Sequence, residues 1–165
     1  MKLTHERLLE VLSYEPETGL FRWKVKIAKQ TIVGEVTSQR PNAQGYLRIR
    51  IDVELFLAHR LAVFYMTGSW PEATVDHRHR DRTNNRWDEI RPASYSQNGA
   101  NKAICARNTS GFKGVSWNAD CQCWQAHIMV NKKSMYLGLF ENPEDAAEAY
   151  MAAAVEHFGE FARAA

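Results

Sequence analysis

The sequence predicts an α+β chain of short strands and short helices, without the regular alternation of a doubly wound sheet. Three observations point there. Residues 75–101 read in the order strand, loop, strand, helix. Residues 113–118, 124–130 and 134–140 are three further strand patterns, followed by one helix from Pro143 to about Phe158. At 165 residues with 45% hydrophobic and 11% aromatic content, the chain suits one ordinary folded domain or two small ones.

From the start, residues 4–12 form a short helix, with Thr4 as cap and Leu8, Leu9 and Leu12 on one face. Tyr14-Glu15-Pro16-Glu17-Thr18-Gly19 reads as a turn, and 20–25 alternate as a strand does. Residues 26–44 are polar and read as irregular. Strand patterns return at 46–51 and 55–57, followed by a helix over 58–66 that Thr67-Gly68 closes. Val75-Asp76-His77 ends the next strand, 78–87 is a loop, and Glu89-Ile90-Arg91 opens the following strand. Ser94 or Ser96 caps the helix that carries Asn98 and Asn101. Beyond a polar linker, Asn131-Lys132-Lys133 makes a tight hairpin connection within the last three strands. Ala146, Ala147, Tyr150, Ala153, Ala154 and Phe158 share one face of the final helix, small enough to lie close against a sheet.

The net charge of +2 makes no global case for nucleic acid, but its distribution does. Residues 76–107 carry 7 basic and 4 acidic side chains, whereas 108–165 carry 4 and 7. The motif-bearing segment is thus the basic one, as phosphate contact requires. Cys105, Cys121 and Cys123 have no zinc-finger spacing and are expected as reduced thiols. No secretory core or spanning segment is present, so a soluble cytoplasmic protein without membrane partners is expected.

Val75-Asp76-His77, then Asp81-Arg82-Thr83-Asn84-Asn85-Arg86, then Ser94-Tyr95-Ser96-Gln97-Asn98 set an acid beside a histidine, a polar loop, and an amide on a helix. Phosphodiester hydrolysis needs an activated water and neutralised charge on the phosphorus. A histidine with a pKa of about 6.5 suits the first task, and hard oxygen ligands suit Mg²⁺ or Mn²⁺ for the second. This constellation resembles the HNH endonucleases in their His-Asn-Asn version. The resemblance implies a ββα-metal nuclease domain, His77 as general base, and Asp76 and Asn98 as ligands of one divalent cation. The chain departs from the family pattern Asn-Arg-x-x-Asn-Leu at Asn85-Arg86-Trp87-Asp88-Glu89-Ile90, so Glu89 holds the central position. A carboxylate there accepts hydrogen bonds from loop amides or from His77, but cannot donate as an amide does. By spacing Asn85 is not the motif residue. Arg86 and Arg91 grip phosphate or pair with Asp81 and Asp88, and His59 reads as structural.

Gly-Phe-Lys-Gly-Val-Ser-Trp at 111–117, Trp-Gln-Ala-His-Ile at 124–128, Tyr-Leu-Gly-Leu-Phe at 136–140 and the 144–162 helix text make a second resemblance. They resemble the plant ethylene-response-factor (APETALA-type) DNA-binding domain, which implies a three-stranded antiparallel sheet packed on one helix. Six acids and no lysine or arginine in 141–160 turn the sheet, not the helix, toward DNA. Candidate contacts are Lys113, Trp117, Trp124, Gln125, His127, Lys132, Lys133 and Tyr136, with sheet packing the alternative for the two tryptophans. Plant members carry arginines where Ser116, Gln125 and His127 stand here, so low-specificity clamping of double-stranded DNA is expected.

The pairing of the two domains is typical of phage-borne, homing-type HNH endonucleases. The expected organisation is an N-terminal extension at 1–40, the nuclease domain at 41–103, a linker at 104–111, and the sheet domain at 112–165. The expected activity is metal-dependent DNA cleavage, by nicking, in a monomer. The alternative is a DNA-binding or regulatory protein whose nuclease site has weakened at Glu89.

Overall fold

The computed structural model describes residues 3–37 and 39–164. It divides into two compact units, Met1–Pro92 and Ala93–Ala165.

The first unit opens with α1 (His5–Val11), whose Thr4 hydroxyl accepts a hydrogen bond from the Arg7 amide at 3.2 Å. The chain passes directly into a hairpin, β1 (Leu12–Glu15) and β2 (Leu20–Trp23), paired from Leu12↔Trp23 to Glu15↔Leu20. The sequence had suggested a helix through Leu12 and a turn from Tyr14. The structure ends the helix one residue earlier and starts a strand there, with Leu12 and Tyr14 buried in the core.

Three strands follow in the order β3-β4-β5: β3 (Arg40–Pro41), β4 (Leu47–Ile51) and β5 (Glu54–Leu57). β3 lies in the stretch expected to be irregular. Next, α2 (Ala58–Thr67) ends on Gly68, whose φ of +72° supplies the left-handed cap. β6 (Thr74–His77) and β7 (Ile90–Ala93) then form a two-stranded sheet around the 78–89 loop. Leu8, Val11, Phe21, Ile49, Ile51 and Leu61 are buried in one core, which fastens the α1 hairpin to the β4 strand and α2.

That hairpin also braces the loop. The Trp87 amide donates to the Pro16 carbonyl at 2.9 Å, and the Tyr14 hydroxyl donates to the Asn85 carbonyl at 2.7 Å. Gly19 closes the contact. Its φ is +72°, and a Cβ there would lie 2.5 Å from the Arg86 nitrogen and the Asn85 carbonyl carbon. Gly19→Ala is therefore expected to lose roughly 1–3 kcal/mol of stability, read by thermal unfolding, because neither the backbone nor the loop can give way cheaply.

In the second unit, α3 (Tyr95–Asn101) begins with a reciprocal capping box between Ser94 and Gln97. β8 (Val115–Asn118), β9 (Cys123–Val130) and β10 (Lys133–Phe140) form an antiparallel sheet in the order β10-β9-β8. Asn131 and Lys132 both have positive φ, 48° and 67°, as a two-residue type I′ hairpin needs. α4 (Pro143–Phe158) carries Ala146, Ala153, Ala154 and Phe158 into clusters with Val115, Ala126 and Ile128 of the sheet. Ala93 and Ala100 join the cluster of Ile128 and Phe158, so α3 packs within this unit. Against the expectation of three free thiols, Cys121 and Cys123 are joined by a disulfide. Gln122, at a φ of 51°, turns the chain between them. No helix among the described residues is long and apolar enough to cross a membrane.

Candidate active site

β6 ends on Asp76 and His77, each only 4% exposed. Across the ladder, Arg91 reaches back from β7. Its Nε and Nη2 both donate to Asp76 Oδ2, at 3.0 and 2.9 Å. Arg91 was a candidate phosphate contact, with Asp88 as its alternative partner. Instead it is 7% exposed and engaged with Asp76, so it belongs to the scaffold of the site. Ile90 and Arg91 lie on opposite faces of the strand yet both are buried, and a buried guanidinium needs a buried carboxylate. Arg86, at the surface, takes Asp88 at 3.3 Å.

His77 Nε2 faces the side-chain oxygen of Asn85 at 3.5 Å, a long contact. Asn85 is 2% exposed, and its amide nitrogen donates to the Thr83 carbonyl at 3.2 Å. With that nitrogen so engaged, the amide presents its oxygen to the imidazole and favours the tautomer protonated on Nε2. Asn85 is thus the buried amide beside His77, a role that motif spacing had assigned away from it. Glu89 goes elsewhere: its carboxylate meets His79 Nδ1 at 2.7 Å. The Arg78 amide bonds to the Glu89 carbonyl at 2.8 Å, which sets residue 89 across from 78 and beside 79. The expectation that Glu89 serves loop amides or His77 is corrected accordingly.

Two rings flank the histidine. Tyr46 lies 5.8 Å from His77 and 4.9 Å from His59, while His59 meets His77 edge-on at 5.0 Å. The Arg82 guanidinium covers Tyr46 at 5.0 Å and also donates to the Gln44 carbonyl, tying the loop to the turn before β4. Asp81 is fixed by the Thr83 amide and hydroxyl, at 2.9 and 2.6 Å, and these bonds hold its carboxyl below the usual range.

Burial pushes the His77 pKa below its ordinary value; the Asn85 contact and the charges of Asp76 and Asp81 pull partly the other way. His59, 4% exposed, is pushed down to about 3, by burial first and then by His77 and Arg60. It stands as a neutral ring, its Nδ1 buried without a hydrogen-bond partner. The sign of the consequence follows. The unfolded chain binds protons at His59 from about pH 6.5 downward, whereas the folded chain resists them until about 3. This stability is complete above the unfolded value and drains away as pH falls between the two. His59→Phe is expected to flatten that acid-side loss, read as urea midpoints from pH 7 to 4. An unchanged slope would contradict it.

Asn98 lies on α3 and is half-buried. Asn101, one turn on, is 3% exposed and its side-chain oxygen accepts from Arg163 at 3.3 Å. Lys113, a candidate DNA contact, donates instead to the Ala100 and Arg163 carbonyls at 2.8 and 3.0 Å. Gly114, at positive φ beside it, lets the chain turn Lys113 toward α3. Trp117 is half exposed and packs edge-on against Trp124 at 5.2 Å. Gln125 reaches the Ser116 hydroxyl at 3.1 Å, and His127 and Tyr136 sit together at 5.3 Å. Lys132 and Lys133 stay exposed at the hairpin.

Asp76 supplies carboxylate oxygen, a hard ligand suited to Mg²⁺ or Mn²⁺, and Arg91 fixes it through Oδ2. Among the described residues there is no group of three or more His, Cys, Asp or Glu able to hold a metal. A closed structural centre is thereby ruled out for those residues, but not a ligand set of one carboxylate, one amide and substrate phosphate.

Residues 56–100 match the family model of the HNH endonucleases. The match covers the end of β5, α2, β6, the 78–89 loop, β7 and most of α3, the segment that contains Asp76, His77 and Asn98. It supports an HNH nuclease, a hydrolase that acts on DNA. No curated protein and no solved structure gives a match. Sequence reasoning passed over Tyr46 and gave Asn85, His59 and Arg82 no role beside His77. Asn84-Asn85-Arg86 was a visible signal for Asn85; Tyr46 and His59 are distant in sequence from His77 and carried none.

Proposed function

We propose that the protein is a metal-dependent DNA endonuclease in which His77 is the general base. The observation that carries this is a buried imidazole next to Asp76, kept neutral by its surroundings and oriented by Asn85, inside the segment that matches the HNH family. The neutral imidazole takes the proton of the attacking water. Asp76 and Asn98 would hold one Mg²⁺ or Mn²⁺, which supplies Lewis-acid charge at the scissile phosphate when bound. Arg91 fixes the Asp76 carboxylate, and the Tyr46–His59 rings keep bulk water from the base.

The domain organisation fits that division of labour: an extension at 1–40 that braces the loop, a nuclease domain at 41–103, a linker at 104–111 and an APETALA-type clamp at 112–165. The clamp reading is supported by Gln125, His127 and Tyr136 on one face of the sheet, by exposed Lys132 and Lys133, and by an acidic helix. A second reading, a DNA-binding protein with a weakened nuclease site, is favoured by Glu89 being engaged with His79.

One Asp76–Asn98 site attacks one strand, and antiparallel strands cannot both meet it equivalently from a monomer. Supercoiled plasmid is therefore expected to become open circles well before linear product appears, with a monomeric mass in solution. Linear product from the first turnover, with a dimeric mass, would overturn the monomer nickase.

A further inference from the structure

We propose that the outward face of the β3-β4-β5 sheet holds the phosphate backbone of duplex DNA through Arg40, Arg48 and Arg50. The proposal rests on the nuclease reading above and adds to it a binding face in the first unit. Arg40 is the ladder partner of Arg48, and Arg48 and Arg50 are two apart on β4. Ladder partners and alternate residues share a face, so the three guanidiniums form one row. Ile49 and Ile51, at 0% and 1% exposed, occupy the opposite face in the core, which turns the row outward.

No acid of the three strands shares the row's face, and Glu35 and Asp52 line a cavity with Arg50 without pairing with it. The single acid in the three strands, Glu54, is paired with Ile51 and falls by alternation on the core side. Among the described residues no carboxylate reaches any of the three arginines. Arg50 has only the Val53 carbonyl, at 3.4 Å, and Arg48 Nε is buried with no hydrogen-bond partner. Three like charges side by side repel one another, and an anionic strand relieves that. The three lie within roughly 8–9 Å by strand geometry, matched to a polyanion that carries one charge per about 1.7 Å of helix axis. Guanidinium forks suit phosphate oxygens and read no base sequence. The row also leads to the chemistry: Arg48 follows two residues after Tyr46, whose ring lies 5.8 Å from His77.

The test is the salt dependence of binding to a labelled duplex of arbitrary sequence, with EDTA present so that cleavage does not intervene. Arg40→Gln/Arg48→Gln/Arg50→Gln is expected to lower the slope of log K against log salt by about 2 to 3. The double variant Arg40→Gln/Arg50→Gln changes only exposed side chains and is expected to lower it by about 2. It decides the matter if replacing Arg48 disturbs folding, which thermal unfolding of each variant reports. Binding by the unaltered protein with an unchanged slope in the double variant would overturn the arginine row and leave the nuclease reading standing. A wild-type protein that captures an acidic polypeptide but no duplex would overturn both.

Discussion

His77→Ala is expected to reduce plasmid cleavage by roughly 10²–10⁴-fold, the usual consequence of losing a general base. Affinity for DNA should survive, because His77 is only 4% exposed and offers little surface to the duplex. Loss of the ring leaves space against His59 and Tyr46, so a modest fall in melting temperature is expected beside the loss of rate. The wild-type pH profile carries its own signature. Burial holds the His77 pKa below its ordinary value, so the base is already neutral at pH 7. Activity should be level around neutrality and fall on acidification, with a midpoint below about 6.5. A midpoint above that value would contradict the burial argument.

Arg91→Leu is expected to destabilise the first unit by about 3–5 kcal/mol, the range for breaking a buried ion pair from one side. The side chains of Arg91 and Asp76 are 8% and 5% exposed, and two bonds at 2.9 and 3.0 Å join them. With the guanidinium gone, the buried Asp76 loses the two bonds that fix it, which spoils it as a cation ligand. The urea midpoint should drop sharply and cleavage should fall with it. Had Arg91 gripped phosphate, the variant would keep its midpoint and lose only salt-dependent affinity. The two roles are separated by one denaturation curve.

Residue order along the chain disclosed much of this. Thr4 as cap, Gly68 as helix stop, the 55–57 strand running into a helix, and Val75-Asp76-His77 at a strand end are local signals, and the structure has each of them. β1 went unseen because Tyr14-Glu15-Pro16 carries turn residues, while its pairing partner and the core that buries Tyr14 are tertiary. The direction of Arg91 depends on what faces it across the sheet, which no local pattern encodes. Lys113 is similar: its ammonium is taken by two carbonyls that only folding brings near. Motif spacing selected Glu89 over Asn85, yet the backbone bond from Arg78 to Glu89 sends that carboxylate to His79 and leaves Asn85 with His77. The composition change after the polar linker suggested that the sheet domain starts at 112. The structure groups α3 with that sheet because Ala93 and Ala100 share its apolar cluster.

The most direct measurement compares wild type and His77→Ala on supercoiled plasmid, each in Mg²⁺, in Mn²⁺ and in EDTA, with duplex binding followed in parallel. The account predicts open circles from wild type with either metal, none in EDTA, none from the variant, and closely similar binding by both. Cleavage by the variant at the wild-type rate, or by wild type in EDTA, would contradict it.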